Sequence, residues 1–173
     1  MWNKIRQIGK KFILVTAIIL LILVGFGGLT SERAIALISQ QEEAPEQILY
    51  QARHNLRDET GRIWKVVFYQ RTKAGEIENI NLRLIGFPGS VEFSHPQPLT
   101  VKTNDGKMLE ASDRFAKQSP GGNVGEYNFK EIVSELPKNR DLSLALPIKN
   151  QGQVEMNIPV AVILEWQEVL SRT

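Results

Sequence analysis

With 42% hydrophobic and 23% charged residues, a chain of 173 residues carries enough apolar material for one ordinary core and falls outside the disordered class. It contains no cysteine, which excludes disulfides and thiol chemistry together. The net charge of +2 does not argue for nucleic-acid binding: five Lys/Arg and one acid precede residue 37, leaving 16 basic and 18 acidic residues beyond it.

The chain begins as a secretory leader does. Lys4, Arg6, Lys10 and Lys11 stand before an uncharged apolar run from Phe12 to Leu29. Those 18 residues just reach the length that spans hydrocarbon as a helix. Ala34-Ile35-Ala36 supplies the small-x-small pair of a processing site, with Ala34 and Ala36 as its small residues, although Glu32 and Arg33 beside it disfavour cleavage. Residues 1–36 are therefore read as a signal peptide removed after Ala36, or as a retained N-terminal hydrophobic anchor helix. In both cases the positive flank stays in the cytoplasm and the body crosses, so the expected location is extracytoplasmic.

Residues 37–47 (LISQQEEAPEQ) are polar and acidic and read as a disordered tether. Residues 48–173 are expected to form a single β-rich domain. Tyr50, Ala52, His54 and Leu56 alternate with polar neighbours, as do Trp64, Val66 and Phe68, around Asp58-Glu59-Thr60-Gly61. Period two on both sides of a turn ending in Gly predicts a β-hairpin. Thr72-Lys73-Ala74-Gly75 turns the chain into a third strand with Ile80, Leu82 and Leu84 inward.

Phe87-Pro88-Gly89-Ser90 is a tight-turn signal, with Pro presetting the first central residue and Gly free to take positive φ. Val91–Phe93 and Leu99–Val101 read as strands around the His95-Pro96-Gln97-Pro98 corner, and Asn104-Asp105-Gly106 as a turn leading to Met108 and Leu109. After the irregular Ser119–Gly125 loop, Asn128 is placed to cap a short helix with Phe129, Ile132, Val133 and Leu136 on one face and Pro137 as its stop. Leu142–Leu146 and Val154–Ile158 alternate as two more strands. Pro159 suits the first turn of a closing helix, whose stripe is Val162, Ile163, Trp166, Val169 and Leu170; a strand as far as Leu164 is the rival reading. The expected class is mainly β (α+β): an antiparallel β-sandwich or partly open barrel with a short helix and a C-terminal helix.

Several blocks resemble a cyanobacterial family of exported or membrane-tethered proteins of unknown function. They are Tyr50-Gln-x-Arg53-x-x-Leu56-x-Asp58, Gly61-x-x-Trp64-x-Val66-Val67, Leu82-x-Leu84-x-Gly86-Phe87-Pro88-Gly89, His95-Pro-Gln-Pro-Leu99, Asn123-Val-Gly125-x-Tyr127 and Glu165-Trp166. The likeness runs over roughly residues 49–169. It brings no activity, cofactor or catalytic residue with it. It implies a host with thylakoids, so the compartment would be thylakoid lumen or periplasm.

Signals for chemistry are thin. Gly-x-Ser-x-Gly, Ser-x-x-Lys, a phosphate-loop Gly-Lys-Ser/Thr and His-Glu-x-x-His are all missing from the sequence. His54 is read as a hydrogen-bonded core residue, His95 as exposed in its corner, Asp58 as an Asx-type turn residue and Ser119–Gly125 as a surface loop. No metal site, cofactor or catalytic residue is assigned. The constellation that stands out is a surface: Arg53, Arg57, Lys65, Arg71 and Arg83 share the outward parity of the first three strands, with Tyr69, Val67 and Ile85 among them. Such a face suits lipid headgroups or an acidic partner, although a plain solvated strand face has the same pattern. On this reading the chain is a non-catalytic accessory protein whose partners are the membrane, through the apolar run, and a membrane protein complex or anionic lipid. A photosynthetic complex is the natural partner in such a host. A cell-envelope hydrolase with an Asp/His site is the alternative, and a small-molecule carrier the third. Because Arg53, Arg57 and Arg83 point outward, their reversal to Glu is expected to leave the fold intact.

Overall fold

The structure, a computed structural model, describes residues 38–172. The expected N-terminal hydrophobic helix and the processing residues Ala34 and Ala36 lie outside the described residues. Among those described, no helix is long and apolar enough to cross a membrane.

The described chain is mainly β. In chain order the strands are β1 (Ser39–Ala44), β2 (Gln47–Arg57), β3 (Ile63–Lys73), β4 (Glu76–Ile85), β5 (Leu99–Thr103), β6 (Met108–Asp113), β7 (Val124–Asn128), β8 (Leu142–Ile148) and β9 (Gly152–Ile158). One helix, α1 (Val160–Leu170), closes the chain. All pairings are antiparallel, in one nine-stranded sheet of order β1-β2-β3-β4-β7-β6-β5-β8-β9. Against the expected sandwich or barrel, this order is open. The strands stay in one sheet because β6 hands over along its length: Met108 to Ala111 pair with β5, and Ser112 and Asp113 pair with β7.

The first hairpin follows directly from the period-two pattern. β2 and β3 pair without a bulge from Gln47↔Lys73 to Arg57↔Ile63. Its turn is built on Asp58 and on Gly61, whose φ of +85° costs a glycine little. At the other end, Ala74 and Gly75 both take positive φ (51° and 82°), the two-residue arrangement whose twist matches that of the flanking strands.

The tether expected at 37–47 needs correction. Ser39–Ala44 is an edge strand in register with β2 from Ser39↔Gln51, and Pro45 with Glu46 makes the turn between them. Polar composition does not prevent this, because an existing edge supplies backbone partners whatever the side chains are. Charged side chains on an edge also discourage pairing with further chains. β1 begins opposite Gln51, midway along β2, and runs towards the Ala74–Gly75 end of the sheet.

Inward residues from both halves of the sheet, together with α1, enclose one apolar cluster that includes Trp64, Phe68, Leu82, Tyr127, Leu144, Met156 and Trp166. Helical spacing wins over β-branched composition at 160–170. Val162, Ile163, Trp166 and Val169 are buried together, and Trp166 stacks on Phe68 with centroids 4.7 Å apart. The sheet bends enough for the Asp58 turn to reach β9: Glu59 N–H donates to the Glu155 carbonyl at 2.9 Å. The short helix expected after Asn128 shrinks to a 3₁₀ turn at Val133–Glu135. Asn128 Oδ1 accepts the Lys130 N–H (3.0 Å), which makes a local turn in place of a helix cap. Leu136, ahead of Pro137, is held extended (ψ 143°) and stops the chain there.

Candidate functional site

Three strands present the candidate surface. With Trp64, Val66 and Phe68 inward, β3 turns Ile63, Lys65, Val67, Tyr69 and Arg71 to the other face. The register sets Val67 between Arg53 and Arg83, and Lys65 between Asn55 and Ile85. Five of the six residues singled out by parity (Arg53, Lys65, Tyr69, Arg71 and Arg83) line one cleft of about 330 Å³, together with Glu43, Leu49, Gln51, Val67 and Ile85. Arg57 does not line that cleft. It lines an adjoining groove of about 620 Å³ together with Ile63, Trp64, Phe87, Pro88 and Val91. Lys65 and Ile85 belong to both.

The half of the cleft towards Arg71 is neutralised from within. Glu126 of β7 is buried (6% exposed) and is the register partner of Arg83. It accepts from Arg83 Nε at 2.6 Å and from the Tyr69 hydroxyl at 2.8 Å. Asn81 Nδ2 donates to the same hydroxyl at 2.9 Å. Arg71 Nε donates to Glu43 of β1 at 2.7 Å. Both guanidinium carbons stand 5.8 Å from the Tyr69 ring centroid, within cation–π range, so Tyr69 lies covered between them at 5% exposure. Burial raises the Tyr69 pKa above that of a free phenol. Arg71, Arg83 and Tyr69 therefore form a structural network. The expectation that Arg83 could be reversed at no cost is corrected: a glutamate there would face Glu126.

Towards the Asp58 turn the cations have no such partners. Arg53 Nε donates to the neutral Gln51 Oε1 (3.1 Å), and Arg57 Nη1 to the Gly61 carbonyl (2.9 Å). Among the described residues neither these two nor Lys65 has a carboxylate partner. The neighbouring groove has no acid in its lining, and its apolar walls are open, with Ile63 54% and Phe87 75% exposed.

The turns that hold this end are densely hydrogen-bonded. Asp58, wholly buried at its side chain, accepts from Thr60 N–H (2.9 Å), Thr60 Oγ1 (2.6 Å), Arg62 N–H (3.0 Å), Arg62 Nε (2.9 Å) and Trp64 Nε1 (3.0 Å). Burial alone would raise its pKa, but these hydrogen bonds prevail and hold it at about 2. The Phe87 turn closes with Ser90 N–H donating to the Phe87 carbonyl (3.1 Å), Gly89 taking φ +79°.

The histidines do not assemble a shared site. His54 Nε2 lies 3.1 Å from Glu165 Oε2 of α1, and His95 Nδ1 lies 2.6 Å from Asp113 Oδ2. His95 is therefore not the exposed residue its proline-flanked corner suggested; its side chain is 17% exposed. Its Nε2 is enclosed and without a polar partner, and Asp113 Oδ1 accepts the Phe115 N–H (2.8 Å). Neither histidine lines the cleft or the groove. The Ser119–Gly125 loop spends its polar groups on the fold: Ser119 Oγ donates to Gly121 O (2.7 Å), and Asn123 Nδ2 to Gly86 O (2.8 Å).

Sequence reasoning alone does not bring out Glu43, Ile63 or Phe87, nor the pairing of Glu126 with Arg83. Glu43 lies in a polar stretch whose composition hides the edge strand. Glu126 alternates with Gly125 and Tyr127 on a five-residue strand whose glycine obscures the pattern. Phe87 stands within a tight-turn signal, which gives no sign of its exposure. Neither the curated proteins nor the solved structures contain a match to this chain. Residues 36–169 match the family model DUF3122, described as a protein of unknown function, and the chain belongs to that family.

Proposed function

We propose that this domain is a non-catalytic docking module of an accessory or assembly protein, working at a membrane surface through the outer face of β2, β3 and β4. The observation that carries the reading is the juxtaposition of Arg53, Arg57 and Lys65, which lack carboxylate partners among the described residues, with the exposed Ile63–Phe87 groove. Charge of one sign beside open apolar surface suits a partner that is both anionic and apolar, such as a bilayer surface or the membrane-proximal part of a complex. The resemblance to a cyanobacterial family extends the proposal to the thylakoid lumen or periplasm, with a photosynthetic complex among the membrane assemblies it could serve.

The test uses the full chain in membranes of its host. Amine-reactive labelling should be slower at Lys65 than at Lys138, which lies in a separate cleft with Asp105 and Glu135. The substitutions Arg53→Glu and Arg57→Glu together should bring Lys65 up to the rate of Lys138 without loss of folded protein. Equal labelling of the two lysines in the unmodified chain would refute docking through this face.

A further inference from the structure

We propose that the patch is a binding site for an anionic phospholipid. The phosphate sits among Arg53, Arg57 and Lys65, and the glycerol and first acyl carbons lie over Ile63, Ile85 and Phe87. The proposal rests on the docking reading and names its ligand class.

The three cations stand on adjacent positions of one ladder. Lys65 is directly opposite Asn55, and Arg53 and Arg57 flank Asn55 on the same face of β2. Antiparallel neighbours on one face lie close enough for three side chains to converge on a single anion. An arginine offers a planar fork to phosphate oxygens and a lysine a point charge, so the set fits a phosphodiester well. Each cation donates only to neutral groups where it donates at all, so a bound phosphate displaces no ion pair.

The groove supplies the second half of the recognition. Its volume of about 620 Å³ is ample for the interfacial part of a lipid, and its lining holds cations and apolar groups but no acid. Phe87 is 75% exposed and starts a turn closed by the Ser90 N–H donating to its carbonyl. Gly86 beneath it is packed so tightly that an added Cβ would meet Val91 Cγ2 at 2.3 Å and Trp64 Cζ3 at 2.9 Å. An aromatic ring held out on a hydrogen-bonded turn beside basic residues has the make-up of an interfacial anchor. Charge and apolar surface are continuous because Lys65 and Ile85 line both cleft and groove. A soluble anion would use the first and leave the second uncovered.

The experiment reconstitutes the full chain in nanodiscs of phosphatidylcholine alone or with 30% phosphatidylglycerol, reading Lys65 labelling against Lys138. Phosphatidylglycerol should slow Lys65 labelling severalfold. Each juxtamembrane cation contributes about a fivefold factor to such association, so Arg53→Gln with Arg57→Gln should weaken the association roughly 25-fold and abolish the protection. Phe87→Ser should also reduce the protection, and inorganic phosphate added to phosphatidylcholine discs should not reproduce it. Protection in host membranes but not in phosphatidylglycerol discs would overturn the lipid assignment and leave docking on a protein standing. Protection by free phosphate alone would reduce the site to an anion site and overturn the apolar part. Lys65 labelled as fast as Lys138 in every setting would remove both proposals.

Discussion

Asp58 ties the stability of the domain to the geometry of its candidate site, and Asp58→Asn tests that tie. The carboxylate is held at about pKa 2 against a usual value of 3.8, in a side chain with no solvent exposure. At 1.36 kcal/mol per unit the difference corresponds to roughly 2.5 kcal/mol of stability at neutral pH. Because the folded-state pKa is lowered, this contribution is present in full above the unfolded value and fades as pH falls towards 2. The amide keeps an oxygen for Thr60 and the Arg62 N–H but turns an NH₂ towards Trp64 Nε1 and Arg62 Nε, both of which are donors. Donor against donor in a buried site, with Arg62 left short of its counter-charge, should cost about 2–4 kcal/mol at pH 7. Urea unfolding of the full chain in non-ionic detergent would show a lower midpoint at unchanged slope. At pH 3 the gap to the unmodified chain should narrow by about 1 kcal/mol, as the wild-type carboxylate begins to lose its advantage. A midpoint equivalent to within about 0.5 kcal/mol at pH 7, or a gap that widens on acidification, would refute the reasoning. Since the same turn sets Arg57 opposite Ile63, the variant should also weaken the protection of Lys65.

Three further substitutions probe neighbouring parts of the argument. Glu126→Gln removes the charge partner of Arg83 and should lower stability by about 1–3 kcal/mol in urea; it also adds one net positive charge to the cleft, so labelling of Lys65 in phosphatidylglycerol discs should slow further. Gly86→Ala forces a methyl against Val91 and Trp64, and the overpacking should cost about 1–3 kcal/mol, read as a fall in melting temperature with a changed near-ultraviolet tryptophan signal. Trp166→Ala removes the ring stacked on Phe68, and unfolding should show a loss of about 3–5 kcal/mol.

What the chain discloses by itself is what is encoded locally. The β2–β3 hairpin is legible because alternation and a Gly-ended turn are both short-range signals, and α1 because Val162, Trp166 and Val169 keep helical spacing despite their β-branched company. β1 was not legible, since an edge strand takes its backbone bonds from β2 and needs no apolar face of its own. The pairing of β4 with β7 joins segments about forty residues apart, and with it comes the Arg83–Glu126 contact. Parity could place Arg71 and Arg83 on the right face but could not say that each already had an acid. The short helix failed for the opposite reason: Asn128 and Glu131 have capping spacing, yet the asparagine closes a tighter local turn.

This division of the face changes how its charge acts. Five cations on three strands suggest a broad positive field, but two of them are cancelled by Glu43 and Glu126 and serve to enclose Tyr69. What remains is compact: three charges within a few residues of one another on the β2–β3 ladder. At physiological ionic strength the screening length is about 8 Å, so charges this close act together on a bound group while their reach into solution is short. Long-range steering by the patch is therefore weak, and in a domain whose acids outnumber its bases beyond residue 36 it is weaker still. In the docking we propose, the cations orient and select a partner already near the surface, while the Ile63–Phe87 groove supplies the area that keeps it there. A docking face of this kind works only where something else has already brought the domain to the membrane, which is the role expected of the apolar run before residue 30.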